Sequence, residues 1–377
     1  MRIAHVTTFY PPSIGGVEVC VYHLATEQAR QGHDISVITN SLPSAGCRSF
    51  VFTRTVQEEL SNVKIYRLSS FIFRQTPIAL SLVSYLSRMD FDIIHLHLTG
   101  FVFQPEVAAL LAKLKHIPVV SHVHIDPMRK QSWVKPYNRL IFPMILDFSK
   151  AIIVPTENYR QVMMAKYGQG KKLAVIPYGV DDSVFESRTK MEGGENETSI
   201  LFIGRLTHQK GLDRLILAMK GILEQIPNAK LTIVGPPNPL EMDYYRDLLR
   251  MVSELNLGEC VRFMGGFPHG ELQEIRSEAM LFVAPSRYES FGIVLLEAMA
   301  SGLPVVASDI PEFKEIAGGS ALLVDPSPGN LSNAIVRAIL DKNLRERMTE
   351  SARTRARDFL WSNIAQQVLS LYALNTK

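Results

Sequence analysis

The stretch ILFIGRLTHQKGLDRLILAM, Ile200 to Met219, decides how the second half of the chain folds. Its short apolar run, Ile200–Ile203, predicts a buried strand, Gly204 and Gly211 bracket a turn, and a helix begins near Leu212. A strand that passes through a tight turn straight into a helix is one unit of a parallel sheet covered by helices. The unit recurs on both sides. Further apolar runs lie at Leu231–Val234, Val261–Met264, Leu281–Ala284, Val305–Ser308 and Ala321–Val324. Earlier in the chain they lie at Ile3–Thr7, Ile35–Thr39, Ile65–Leu68, Asp92–Leu96, Val119–His122, Ala151–Pro155 and Leu173–Ile176. The clearest helix follows Gly16, where Val17, Val21, Leu24 and Gln28 step by three or four residues and Gly32 supplies the stop. The expected class is α/β, with two Rossmann-like, doubly wound parallel-sheet domains.

A chain of 377 residues is about twice the usual domain length, in keeping with two domains. Between the two series of runs, ESRTKMEGGENETS (residues 186–199) has no apolar periodicity and reads as a linker or exposed loop. The organisation expected is an N-terminal domain over 1–180, a C-terminal domain over 181–360, and a last helix, 361–377, that packs back on the first domain. Doubly wound domains bind ligands outside the carboxyl ends of their strands, so facing carboxyl edges would share one active site.

Composition excludes several classes. Hydrophobic residues at 46% and charged residues at 20% are those of an ordinary globular chain. A formal charge of +3 is too small to imply nucleic acid. Cys20, Cys47 and Cys260 are odd in number and far apart, which supports neither a disulfide framework nor a paired-cysteine metal site, and a cytoplasmic location is expected. Met1–Thr7 reads as a core strand rather than a signal peptide, so the mature chain should begin at Met1. The apolar stretches Phe71–Leu86 and Leu140–Val154 are interrupted by Arg74 and Pro77 and by Pro143, Asp147 and Lys150, and neither reads as a membrane span. The sequon Asn196-Glu197-Thr198 is read as chance.

Two motifs carry chemistry. In Gly204–Gly211, Arg205 and Lys210 stand on either side of a turn at a helix N-terminus, where dipole, backbone N–H groups and side-chain charges add to suit a diphosphate. A solvated basic loop is the competing reading. The second motif is PSRYESFGIVLLEAMASGLP, Pro285–Pro304, in which a strand end turns through Gly292 into a helix and leaves N–H groups free around Gly292, Ile293 and Val294. Glu297 lies among Leu295, Leu296, Ala298, Met299 and Ala300. A carboxylate there is costly to bury unless hydroxyls or cations pair with it.

Together these motifs resemble the retaining nucleotide-sugar glycosyltransferases of family 4, which have the GT-B fold, and Glu289-x7-Glu297 is similar to that family's EX7E motif. Tyr10-Pro11-Pro12-Ser13-Ile14-Gly15-Gly16-Val17-Glu18 resembles its glycine-rich loop after the first strand. Ile176-Pro177-Tyr178-Gly179-Val180-Asp181 resembles its interdomain IPNGVD segment, with Tyr178 where asparagine is usual. The resemblance implies that Arg205 and Lys210 hold the donor diphosphate, Glu297 binds the ribose hydroxyls and Glu289 faces the transferred sugar. It further implies that Gly15 and Gly16 bring backbone close to the donor, and that Phe291, Gly292, Ile293 and Val294 line it. His124-x-Asp126 resembles the family's active-site histidine region, which makes His124 the residue near the sugar and leaves His122 as its rival.

No metal or other cofactor is expected. His95 and His97 fall on one strand face with no thiolate or carboxylate at ligand spacing. Asp90-Phe91-Asp92 matches a metal-binding DxD pattern but precedes a strand at its amino end, and is read as a turn. The partners expected are a nucleotide-sugar donor, UDP- or GDP-linked, and a lipid-linked or glycan acceptor. Peripheral membrane contact is suggested by Phe71-Ile72-Phe73-Arg74 and by the basic, aromatic segment Arg129–Tyr137. The rival readings are a sugar phosphorylase or nucleotide-sugar epimerase of the same architecture and a non-enzymatic nucleotide-sugar binding protein.

Overall fold

Strands such as Ile93–Leu98 and Val119–Val123 bury every residue, as a parallel sheet covered on both faces requires. The computed structural model describes residues 1–13, 15–42, 54–73, 76–100, 103–124, 137–186, 198–267 and 271–375. They fall into two units, Met1–Gly179 with Trp361–Lys377, and Val180–Leu360. The chain changes unit at Gly179, ahead of the polar stretch whose residues 187–197, with most of the sequon, lie outside the described residues. Cys47, Asp126 and Arg129–Pro136 lie outside them too.

The first unit begins β1 Arg2–Val6, α1 Gly16–Arg30, β2 Asp34–Asn40, β3 Val56–Leu60, β4 Val63–Leu68, β5 Phe71–Phe73, β6 Thr76–Ile78 and α2 Leu82–Arg88. It continues β7 Ile93–Leu98, α3 Gln104–Leu114, β8 Val119–Val123, α4 Phe142–Phe148, β9 Ala151–Val154, α5 Glu157–Tyr167 and β10 Leu173–Val175. Its sheet has the order β10-β9-β8-β7-β1-β2-β4-β3 and is parallel apart from β3. The second unit runs β11 Thr198–Ile203, α6 Leu212–Gln225, β12 Ala229–Val234, α7 Met242–Glu254, β13 Val261–Phe263, α8 Leu272–Glu278 and β14 Leu281–Ala284. It ends with α9 Ile293–Ala300, β15 Val305–Ser308, α10 Pro311–Ala317, β16 Leu322–Val324, α11 Pro328–Leu340 and α12 Lys342–Ala356. The last helix, α13 Trp361–Asn375, returns to the first unit and packs on α1. The second sheet, β13-β12-β11-β14-β15-β16, is parallel throughout, the doubly wound order whose direction of winding reverses between β11 and β14.

The apolar runs place their strands to within two residues, and two elements escape them. Every residue of β3 is exposed, so it has no buried face to announce it. Its Glu58 instead pairs with Arg67 at 2.7 Å and puts charge on the sheet edge. In the hairpin β5–β6, Ile72 is buried and Phe71 half-buried, while Arg74 lies outside the described residues. Among the described residues no helix is long and apolar enough to cross a membrane.

The two faces of the first sheet differ. Ala4, Val6, Ile94, Leu96, Leu98, Val119 and Val123 face an apolar core shared with α2, α3 and α4. The opposite face carries His5, His95, His97 and His122, all buried beneath α1 and α13. At the start of α13, a Cβ on Gly179 would come within 2.4 Å of the Trp361 ring, so that position excludes any larger residue.

Candidate active site

In the second unit the motif loops follow β11 and β14, the neighbouring strands at the winding reversal. Gly211 has φ +65, and a Cβ there would lie 2.1 Å from the Pro285 carbonyl oxygen. Glycine is therefore what lets the two loops touch. Five bonds tie them: Arg287 N–H to the Gln209 carbonyl at 2.8 Å, Arg287 Nη1 to the His208 carbonyl at 2.7 Å, Gln209 Nε2 to the Tyr288 carbonyl at 3.0 Å and to Glu289 Oε2 at 3.5 Å, and Lys210 Nζ to Glu289 Oε1 at 2.5 Å. Arg287 also forks onto Asp213 at 2.8 and 2.6 Å, and the Tyr244 hydroxyl donates to Asp213 at 2.7 Å. Burial pushes the Asp213 carboxyl up, but these two partners outweigh it and hold the group below its ordinary value. The loop is thus shaped before any ligand arrives.

The two cations of this loop are not equivalent. Lys210 is already matched by Glu289, which also accepts from Ser286 Oγ at 2.7 Å. Arg205 is exposed and has no ion pair among the described residues. Gly292 has φ +105 and starts α9, and a Cβ on it would meet the Phe313 ring at 2.5 Å. The first-turn N–H groups of Ile293 and Val294, both half-buried, have no partner within the helix. The Phe291 ring is buried and meets the Phe359 ring edge-on at 6.3 Å.

Glu297 is buried in α9 and does have its cation. Arg276 of α8, 1% exposed, places Nη1 at 3.1 Å from Glu297 Oε2. The motif itself allows hydroxyls, cations or a surface-facing glutamate, and names no partner on another helix. The available signal was Arg276 standing four residues after the buried Leu272 on one helix, which puts a charge on an inward stripe.

In the first unit the winding reverses between β1 and β7. Gly15 is half-buried and Gly16 exposed at the start of α1. A Cβ on Gly15 would meet the movable Glu18 carboxylate, at 2.3 Å, rather than backbone. Asp92 receives the Arg2 N–H at 2.7 Å at the amino end of β7, away from the carboxyl edge.

Strand register sets His5 beside His95 and His97 beside His122. His124, 7% exposed, ends β8 with both ring nitrogens engaged: Nε2 with His97 Nδ1 at 2.9 Å and Nδ1 with the Tyr178 hydroxyl at 2.7 Å. Both ring nitrogens of His122 are buried without a partner. The Cys20 Sγ, a thiol that burial holds protonated, lies within 4.8 Å of ring nitrogens of His122 and His124, and His5, His95 and His97 form a second such group. Neighbouring rings nevertheless stack, His95 on His97 at 4.4 Å and 13°, His122 on His124 at 4.2 Å and 24°. His5, His97 and His124 already spend their ring nitrogens on one another, on Gln28 and on Tyr178, so a metal ion would have to displace those bonds.

Both halves of the chain match known families. Residues 184–355 match the family model described as Glycosyl transferases group 1, and residues 14–184 match Glycosyltransferase Family 4. An uncharacterized glycosyltransferase of Methanocaldococcus jannaschii is 30% identical over 99% of this chain and 98% of its own. The phosphatidyl-myo-inositol mannosyltransferase of Mycobacterium tuberculosis is 28% identical over 99% and 96%. Among solved structures, sucrose-phosphate synthase from Thermosynechococcus elongatus superposes with a TM-score of 0.79 at 23% identity, covering 99% of this chain and 98% of that one. Anabaena HepE in complex with UDP and glucose gives 0.77 at 20% identity, covering 99% of each.

Proposed function

The chain belongs to glycosyltransferase family 4, and on that premise we propose that it transfers a sugar, with retention of anomeric configuration, from a UDP- or GDP-sugar to a lipid-linked or glycan acceptor. The observation that carries the donor half of this reading is the pre-shaped loop Gly204–Gly211, cross-tied to residues 285–289, with Arg205 as an uncompensated cation beside it. As the glycosidic bond breaks through an oxocarbenium-like transition state, negative charge grows on the leaving diphosphate. Arg205, Lys210 and the first-turn N–H groups of α9 supply donors for that charge, and Glu297 accepts from the ribose hydroxyls. A donor ligand that competes for Lys210 would release Glu289 toward the sugar. The UDP held by HepE and the phosphatidyl-myo-inositol in the name of the mannosyltransferase relative support a nucleotide donor and a lipid-linked acceptor.

The test is a panel of UDP- and GDP-sugars with candidate acceptors, followed by release of nucleoside diphosphate. Release that depends on acceptor supports transfer, whereas conversion of donor alone to its epimer would replace it. The chemistry needs no metal, because side-chain cations and a helix terminus supply the positive charge. Turnover should therefore be unchanged in excess chelator. A loss that magnesium or manganese restores would contradict this.

We also assign a peripheral membrane contact, at the cytoplasmic face, to α2 and α3, which pack side by side. Leu80, Val83, Leu110 and Leu114 are exposed there, with Arg88 and Lys113 exposed on the same helices. The protein should sediment with anionic phospholipid vesicles at low salt, and less so as the double variant Leu110→Ser, Leu114→Ser. Wild-type protein left in the supernatant would refute the assignment.

A further inference from the structure

Three of the buried histidines, His5, His97 and His124, form one directed chain of hydrogen bonds. It runs from Gln28 Oε1 to His5 Nε2 at 2.7 Å, from His5 Nδ1 to His97 Nε2 at 3.0 Å, from His97 Nδ1 to His124 Nε2 at 2.9 Å, and from His124 Nδ1 to the Tyr178 hydroxyl at 2.7 Å. Gln28 is fully buried in α1, and its other amide atom, Nε2, donates at 3.4 Å to the Tyr372 hydroxyl of α13, which also bonds His95 Nδ1.

A neutral imidazole owns one donor and one acceptor, so in such a chain each ring dictates the tautomer of the next. These rings are neutral. Burial pushes His5 down to about 4 and His124 down to about 3, and it carries His97 well below its ordinary range. The amide oxygen of Gln28 can only accept, which makes His5 donate through Nε2 and accept at Nδ1. His97 must then donate through Nε2, and so must His124. The lone pair of His124 is left on Nδ1, facing Tyr178.

We propose that Gln28 is a positioning residue for His124, fixing its Nε2–H tautomer through His5 and His97 so that Nδ1 is presented as a hydrogen-bond acceptor. The proposal rests on the reading above that His124 stands by the transferred sugar. A sugar hydroxyl that takes the place of the Tyr178 hydroxyl must then donate to His124 rather than accept from it. None of the intermediate residues needs to touch substrate. The α1–α13 pairing holds Gln28 against Tyr372, whose hydroxyl can accept from Nε2 in the orientation that turns Oε1 toward His5.

The decisive measurement is the two-bond proton–nitrogen correlation spectrum of uniformly 15N-labelled protein at neutral pH, with His124 identified by the signals lost in His124→Gln. His124 should appear as the Nε2–H tautomer. Gln28→Leu, which keeps bulk and removes the acceptor, should bring in the Nδ1–H form, while Gln28→Glu, which keeps an acceptor toward His5, should retain the wild-type tautomer. In the transfer assay Gln28→Leu should lower kcat by about tenfold to a hundredfold with donor KM unchanged. An Nδ1–H or mixed His124 in the wild type would overturn the proposal, and so would an unaltered tautomer in Gln28→Leu. A changed tautomer with unchanged kcat would overturn the positioning role. The wild-type spectrum carries the test even where Gln28→Leu fails to fold. Failure of the underlying reading looks different, since no nucleotide sugar would then support transfer by the wild type.

Discussion

Arg205→Ala is expected to lower kcat by about a hundredfold to a thousandfold, the usual cost of one donor lost from a site of growing negative charge. Stability should change by no more than about 0.5 kcal/mol, because the side chain is exposed and has no ion pair among the described residues. Lys210→Ala should cost a similar factor in rate but also stability. Its partner Glu289 has a side chain only 6% exposed and would keep just Ser286 and a long contact from Gln209 at 3.5 Å. A buried carboxylate left short of donors is destabilising. Steady-state transfer beside urea unfolding separates the two variants. Near-normal turnover in both would remove the diphosphate from this loop.

The second large effect lies behind the site. Arg276→Leu should destabilise the second unit by about 3–5 kcal/mol, because it leaves the Glu297 carboxylate buried without its cation. Glu297→Gln should be costly for the converse reason, as it strands the Arg276 guanidinium, whose Nε already has no partner. Glu297→Gln should therefore lower stability as well as raise donor KM. The double variant Arg276→Leu, Glu297→Gln removes both charges and should recover most of the stability while donor binding stays impaired. Urea unfolding of the two single variants and the double one measures the coupling. A loss of under about 1 kcal/mol in Arg276→Leu would show that the pair contributes little.

What could be read from sequence was whatever repeats locally. The strand-turn-helix units, Gly211 and Gly292 at their turns, and the charges at 205, 210, 289 and 297 all lie within single motifs. What escaped was pairing across distance. Arg276 reaches Glu297 from another helix, and nothing in either segment names the other. The register that sets His5 beside His95 and His97 beside His122 joins strands far apart in sequence, and Tyr372 arrives from the last helix. His95, His97, His122 and His124 were visible as strand-end histidines. Their connection through His5 and Gln28, and the approach of Cys20, depended on sheet order.

The central claim is that the loop after β11 holds the diphosphate of a nucleotide sugar. Isothermal titration of UDP and GDP into the wild type and Arg205→Ala, in chelator, tests it most directly. One nucleotide should bind the wild type saturably without metal and raise its apparent stability by about 2.7 kcal/mol at a hundredfold excess over Kd. Arg205→Ala should bind it at least tenfold more weakly, a difference of about 1.4 kcal/mol. Equal affinity in the two proteins, or no binding of either nucleotide to the wild type, would contradict the account.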